Sequence, residues 1–252
     1  MIDFKFLEQI PPFDKDKPGF DLWLIDFEPS EMLSLFSTVL VNEERVAAAR
    51  YLSAERTGLA IASRATLRLL LSLYLQKHPL EIEILHNEYQ KPMLNPSDQL
   101  YFNVSHSADQ ILVGISRHTP IGVDIESMRT DTDWKNIAKH YSSPAEYEML
   151  NSAEDPKFFF YQLWTAKEAF MKGYGTGFHF PLNQFTIEYS DSLCGKVTSL
   201  VPLSPDHWQI QNFQLSDSCM GAVAVPGELE SIHATRLSTQ TIKKIAASWN
   251  LV

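Results

Sequence analysis

The spacing of hydrophobic and polar residues predicts a chain that mixes short strands with helices. Alternation indicates strands, and apolar positions that recur every three to four residues indicate helices. Strands are predicted at Asp21–Phe27, Glu81–His86, Tyr101–Ser105, Ile111–Ser116, Ile121–Glu126, Phe185–Tyr189, Lys196–Leu200, Trp208–Leu215 and Cys219–Val225. Helices are predicted at Glu31–Leu40, Glu43–Leu52, Ser53–Lys77, from Ser143, at Pro156–Lys172 (ending at Gly173) and at Thr241–Trp249. Because no regular βαβ rhythm connects them, the predicted fold class is α+β.

A predicted loop near residues 86–100 indicates a boundary between two parts of the chain. Lys91-Pro92 and Asn95-Pro96 interrupt the pattern there, as prolines do in turns and loops. The predicted parts are residues 1–95 and 96–252.

Composition narrows the class of protein. The chain of 252 residues has 44% hydrophobic and 21% charged residues, as in soluble globular proteins. Its 10 glycines form neither a P-loop nor a dinucleotide-binding motif. The net charge of −10 argues against a nucleic-acid partner. We find no secretion signal and no apolar run that would span a membrane, so we expect a cytoplasmic protein whose Cys194 and Cys219 are reduced.

The strand Ile121–Glu126 (IGVDIE) places two carboxylates on one face. Since alternate residues of a strand face opposite sides, the isoleucines and the valine point inward and Asp124 and Glu126 share the other face beside Gly122. Such a pair suits a hard cation with oxygen ligands. Taken alone, the segment fits a half-exposed strand with a solvated acidic face better.

The helix at Pro156–Lys172 has two distinct faces. Phe159, Leu163, Ala166 and Phe170 form a core stripe, and Trp164, Glu168 and Lys172 lie nearly opposite. A tryptophan on this second face predicts that it also packs against something. The simpler alternative is a surface Glu–Lys pair one turn apart.

The segment FNVSHS contains adjacent Ser105 and His106, which point to opposite sides of a strand and cannot form a nucleophile–base pair. They are better placed to bind an anion, although a purely structural histidine fits as well. Arg50, Arg56, Arg64, Arg68 and Lys91 are further candidate cations.

Taken in order, these segments resemble one family. FNVSHS, IGVDIE and WTAKEAFMKGYGTGF followed by PLNQF resemble the 4'-phosphopantetheinyl transferases of the surfactin-synthetase-activating (Sfp) type. Asp124 and Glu168 lie 44 positions apart, as that family's acidic motifs do, and the likeness covers roughly residues 45–186.

The resemblance implies two similar α+β halves that form a pseudo-dimer with the active site in the cleft between them. It implies a monomeric transferase of the holo-[acyl-carrier-protein] synthase type, which moves the phosphopantetheine arm of coenzyme A to a serine of an apo carrier protein and releases adenosine 3',5'-bisphosphate. Residues 1–95 would contribute to coenzyme A binding, and residues 96–252 would carry the Mg²⁺-binding and catalytic motifs.

The resemblance also implies residue roles. Mg²⁺, or Mn²⁺ in its place, would be held by Asp124, Glu126 and Glu168. The catalytic residues would be Glu168 and Lys172. Coenzyme A would be bound by Arg50, Arg56, Arg64, Lys91, Pro92, Ser105, His106 and Lys172.

Two alternatives remain open from the sequence. One is a Mg²⁺-dependent phosphodiesterase that uses the same carboxylates. The other is a carrier-protein-binding module of the same fold without activity. The identity of the carrier and its docking surface do not follow from the residues.

Overall fold

The computed structural model describes residues 2–7, 18–27, 35–199 and 207–251. The strands are β1 (Lys5–Leu7), β2 (Phe20–Asp26), β3 (Leu85–His86), β4 (Pro92–Met93), β5 (Tyr101–Ser107), β6 (Gln110–Ser116), β7 (Gly122–Ser127), β8 (Phe185–Tyr189), β9 (Cys194–Ser199), β10 (Trp208–Ser216), β11 (Cys219–Pro226) and β12 (Ile232–Leu237). The helices are α1 (Asn42–Ala48), α2 (Ala54–Leu75), α3 (Trp134–Tyr141), α4 (Pro144–Ser152), α5 (Pro156–Tyr174) and α6 (Thr239–Ser248). Residues 35–39 are helical as well.

Two five-stranded sheets organise the fold. The first sheet has the order β1-β12-β2-β6-β5, and the second has the order β7-β11-β10-β9-β8. A short hairpin, β3–β4, stands apart from both. Within the first sheet β12 runs parallel to β1 and β2, so a strand from the end of the chain completes a sheet begun near its start.

The two sheets and two long helices form four layers. One face of the first sheet packs on α2, and its other face packs on the second sheet through residues such as Leu22, Leu112 and Val223. The opposite face of the second sheet is covered by α5, whose Leu163 and Phe170 enter that core. Each half is therefore a sheet with one long helix, and the predicted α+β fold of two similar halves is confirmed.

The sheets do not follow the division expected at residue 95. β5 and β6 lie after that position but belong to the first sheet, where β6 pairs with β2 and β5 pairs with β6, and β12 returns to the same sheet. The change of sheet falls between β6 and β7. Long-range pairing of this kind leaves no local signal in the sequence.

Helix α2 is the central helix of the first half. Ser53 caps its start by accepting a hydrogen bond from the Arg56 amide at 3.1 Å. By length and composition alone this helix could cross a membrane, but 67% of its apolar window is buried within the protein. Such burial is what a core helix requires.

The sequence predictions hold for most elements and fail at some ends. Helix α5 begins after Asp155, whose side chain accepts from the Phe158 amide, but it ends at Tyr174. Gly175, with a φ of 88°, adopts the left-handed conformation that closes the helix, so the predicted end at Gly173 is wrong. The strands β1 and β12 and the helix α3 were not predicted. The predicted helix Glu31–Leu40 begins outside the described residues. Leu200, the last residue of the predicted strand Lys196–Leu200, also lies outside them.

Candidate active site

The candidate site lies where β5, β7 and α5 meet, a region we call the seam. Two glycines allow α5 to approach β7 closely. A Cβ on Gly122 would overlap the Ala169 carbonyl oxygen, and a Cβ on Gly173 would lie 2.6 Å from the Trp208 ring. The glycine of the IGVDIE segment thus makes room for a helix, and the strand's carboxylates face that helix.

Asp124 forms the centre of the seam. Its Oδ1 accepts hydrogen bonds from Lys172 Nζ at 2.6 Å and from Ser105 Oγ at 2.7 Å, and Lys172 Nζ also donates to Ser105 Oγ at 2.8 Å. Asp124 Oδ2 is buried and has no hydrogen-bond partner among the described residues. The structure therefore brings together three predicted residues from three different elements and leaves one acceptor atom unused.

Glu126 and Glu168 complete a group of three carboxylates with Asp124, which we call the acidic centre. Burial, and next the charge of Asp124, raise the pKa of each glutamate to about 7. Burial lowers the pKa of Lys172, but the three surrounding carboxylates outweigh it and raise that pKa. The lysine is thus charged and the acidic centre is short of positive charge.

The acidic centre fits a divalent cation by the chemistry of its donors. Carboxylate oxygens are the ligands Mg²⁺ prefers, and a cation would occupy the unused Asp124 Oδ2 and relieve the repulsion that raises both glutamate pKa values. Among the described residues, no three His, Cys, Asp or Glu side chains are already arranged to hold a metal ion. The chemistry of the donor set therefore fits a divalent ion.

A cavity of about 310 Å³ opens beside Glu168 and Lys172. Its other walls include Lys91 and Pro92, which the resemblance assigns to coenzyme A binding. Lys91 Nζ also donates to the Gly173 carbonyl at 2.7 Å, and burial lowers the pKa of Lys91 to about 8. The β3–β4 hairpin therefore both lines the cavity and holds the end of α5.

A second cavity, of about 880 Å³, is lined by Arg50 and Arg64 and by His86 of the same hairpin. Arg64 Nε is 3.6 Å from Glu44 Oε1, and its side chain is 30% exposed. Arg68, one turn further on, is instead buried, with its guanidinium bonded to Glu44 and to the carbonyls of Pro79 and Ile82. Arg64 is available to a ligand, whereas Arg68 has a structural role.

The remaining two predicted residues lie less centrally. Arg56 is exposed near the start of α2 and lines neither cavity. His106 follows Ser105 on β5 and is exposed as a whole residue, although packing around its ring and then the Lys172 ammonium lower its pKa. The structure therefore brings neither residue into direct contact with Asp124.

The second face of α5 is covered, as predicted. Trp164 stacks on Phe160 and meets the Tyr141 ring edge-on. Sequence reasoning missed Lys167, which is buried and donates to the carbonyls of Leu182 and Phe185. No local pattern marks this role, because its partners are distant in the chain.

The fold and the seam define an α+β protein with three carboxylates beside a lysine and two nearby cavities that carry basic side chains, as enzymes that transfer phosphoryl groups have. A model of the 4'-phosphopantetheinyl transferase superfamily matches residues 120–236, and a model of the 4'-phosphopantetheinyl transferase N-terminal region matches residues 26–117. The chain belongs to the 4'-phosphopantetheinyl transferase superfamily, and it is a transferase.

Named relatives agree with this family. The chain is 30% identical over 212 residues to the 4'-phosphopantetheinyl transferase HetI of Nostoc sp. (strain PCC 7120). The matched region is 82% of this chain and 87% of that protein. It is 27% identical to the 4'-phosphopantetheinyl transferase Sfp of Bacillus subtilis (strain 168), over 75% of this chain and 83% of that one. A solved holo-[acyl-carrier-protein] synthase from Neisseria meningitidis is similar over 43% of this chain and 98% of its own, with 21% identity and a TM-score of 0.36. The family predicted from the motifs is confirmed.

Proposed function

We propose that this transferase moves the phosphopantetheine arm of coenzyme A to a serine hydroxyl of an apo carrier protein, with Mg²⁺ or Mn²⁺, and releases adenosine 3',5'-bisphosphate. The observation that carries the proposal is the seam itself. There Asp124, Glu126 and Glu168 surround Lys172 at the edge of a cavity. The family and the names of its members support the same reaction.

In the proposed step, the carrier serine oxygen attacks the phosphorus that bears the pantetheine arm. A new P–O bond forms, and the bond from this phosphorus to the bridging oxygen of the pyrophosphate breaks. The bridging oxygen leaves on adenosine 3',5'-bisphosphate. Glu168 takes the serine proton, directly or through a water.

Negative charge that develops on the leaving phosphate needs cations at fixed positions. Lys172, already held by Asp124 and Ser105, would stabilise that charge. Arg64 and Arg50 in the larger cavity would bind the 3'-phosphate end, and Lys91 and Pro92 would line the adenine side. Residues of the β3–β4 hairpin line both cavities, which supports one extended ligand that contacts both.

Asp124, Glu126 and Glu168 would hold the divalent ion. When bound, the ion would neutralise charge on the pyrophosphate oxygens. Ser105 keeps Asp124 Oδ1 in place and leaves Oδ2 unused.

Mass spectrometry of a panel of apo carriers, from fatty-acid, polyketide and nonribosomal-peptide systems, tests the proposal. We expect at least one carrier to gain a single phosphopantetheine unit from coenzyme A, and excess EDTA to stop the transfer. Asp124→Ala should lose activity, whereas Asp131→Ala, which removes an exposed carboxylate, should keep it. Undiminished transfer in EDTA would contradict the metal assignment, and no transfer to any carrier would contradict the reaction.

A further inference from the structure

A ladder of side chains joins the two sheets at the seam. β5 is the last strand of the first sheet, and β7 is the first strand of the second. Asn103 Oδ1, Ser105 Oγ and Ser107 Oγ accept hydrogen bonds from the backbone amides of Val123, Ile125 and Ser127. These bonds are 2.9, 3.3 and 2.9 Å long, and each joins residues 20 positions apart. Polar side chains of β5 therefore set the register of β7, where backbone pairing would otherwise do so.

Two of the three rungs also contact the acidic centre. Ser105 Oγ donates to Asp124 at 2.7 Å, and Ser107 Oγ donates to Glu126 Oε2 at 3.3 Å. The corresponding β7 position beside the Asn103 rung is Gly122, which has no side chain. The ladder thus contains one rung that only joins strands and two rungs that also hold carboxylates.

The Ser107 hydroxyl accepts a hydrogen bond from one partner and donates its proton to another. A serine hydroxyl has one proton to donate and two lone pairs that accept. Because Ser107 Oγ accepts from the Ser127 amide, its single proton is free to point at Glu126. Groups that orient a metal-binding carboxylate in this way commonly set metal affinity, and their loss costs about ten- to a hundredfold.

We infer that Ser107 is a positioning residue, which fixes the Glu126 carboxylate for the divalent ion. This inference rests on the proposed function, since it assigns Ser107 to the metal site proposed there. Ser107 does not touch substrate in this role and acts only through Glu126.

Binding of Mn²⁺, followed by electron paramagnetic resonance with saturating coenzyme A, tests the inference without measuring transfer. Ser107→Ala should weaken Mn²⁺ binding by about ten- to a hundredfold. Ser107→Thr keeps the hydroxyl and suits a strand, so it should bind Mn²⁺ nearly as the wild type does. Asn103→Ala is the matched control, because it removes one inter-sheet rung without removing a contact to a carboxylate. Since Asn103 also lines the smaller cavity, the three variants are compared without coenzyme A as well, and there the Mn²⁺ affinity of Asn103→Ala should be unchanged.

The outcomes distinguish a failure of the Ser107 assignment from a failure of the metal site. Wild-type affinity in Ser107→Ala, or an equal loss in Asn103→Ala at equal thermal stability, would overturn the role of Ser107 and leave the metal site standing. Failure of the wild-type protein to bind Mn²⁺ would overturn the metal site and this inference together.

Discussion

Helix α5 carries two lysines, five positions apart, that lie in opposite environments. Lys167 is 2% exposed and donates to two carbonyls, at 2.7 and 2.8 Å, and to Glu146 Oε2 at 2.8 Å. Lys172 is 30% exposed, faces the cavity and contacts Asp124 and Ser105. Burial lowers the pKa of Lys167 although Glu146 opposes it, whereas the acidic centre raises the pKa of Lys172.

The difference between the two regions is the hydrogen-bonding capacity that remains. All three protons of Lys167 have partners, and Glu146 also accepts from the Ser143 and Ile187 amides at 2.7 Å each. In the other region Asp124 Oδ2 has no partner among the described residues, and two nearby carboxylates have raised pKa values. A satisfied ion pair holds α5 in place, and an unsatisfied one is ready for a ligand.

The largest expected effect concerns the unsatisfied region. Glu168→Gln keeps the shape and one ligating oxygen but removes the proposed base, so the transfer rate should fall by about 10²–10⁴-fold. Asp124→Ala should instead raise the Mg²⁺ requirement, and high Mg²⁺ should restore part of its rate. Initial rates across Mg²⁺ concentration measure both. Equal rescue of the two variants by Mg²⁺ would make Glu168 a ligand only.

The loss of stability should be larger in the satisfied region, at Lys167, than in the unsatisfied region, at Lys172. Lys167→Met leaves Glu146 buried and unpaired, which should lower the free energy of unfolding by about 3–5 kcal/mol. Lys172→Met should cost less, because its surroundings reach solvent and the carboxylates can take up protons. Urea unfolding measures both, and added Mg²⁺ should restabilise only Lys172→Met. Equal losses with equal Mg²⁺ responses would remove the distinction between the regions.

The third effect tests the arginine that is proposed to bind the 3'-phosphate end of coenzyme A. Arg64→Ala should weaken coenzyme A binding by about 1.5–3 kcal/mol, or roughly tenfold to a hundredfold, and should weaken 3'-dephospho-coenzyme A much less. Arg56→Ala is the comparison on the same helix, and its effect should be smaller because Arg56 lines neither cavity. Calorimetry with both ligands provides the affinities. Equal losses for the two ligands would assign Arg64 to structure alone.

These regions also show what sequence can and cannot predict. Strand and helix periodicity placed Asp124, Glu168 and Lys172 on particular faces, and the resemblance of the ordered motifs to the family then assigned their roles. Lys167 and Ser107 were missed, because their partners lie 15–21 positions away in the sequence. β12 was missed for the same reason, since its pairing with β1 and β2 joins the two ends of the chain.

A smaller effect is expected where α5 approaches β7. Gly122→Ala would push the helix away through the Ala169 carbonyl and separate Lys172 from Asp124, at a cost of about 1–3 kcal/mol in stability together with lost activity. Gly195→Ala on β9 is the control, because its nearest neighbour is the Ile187 side chain at 3.0 Å. That variant should remain active. Thermal unfolding and transfer rates for both variants measure the effect, and full activity in Gly122→Ala would show that close approach of α5 is unnecessary.

The smallest expected effect comes from a third ion pair, which has good geometry but no burial. Arg129 donates to both carboxylate oxygens of Asp131, at 2.9 and 2.7 Å, yet the two side chains are 68% and 66% exposed. Water competes for both charges and salt screens them, so Arg129→Ala should leave urea unfolding and transfer rate unchanged within error. If this variant lost stability as Lys167→Met does, hydrogen-bond geometry rather than burial would decide which ion pairs hold the fold. The contrast between Lys167 and Lys172 would then need a different explanation, because both have short contacts and only their surroundings differ.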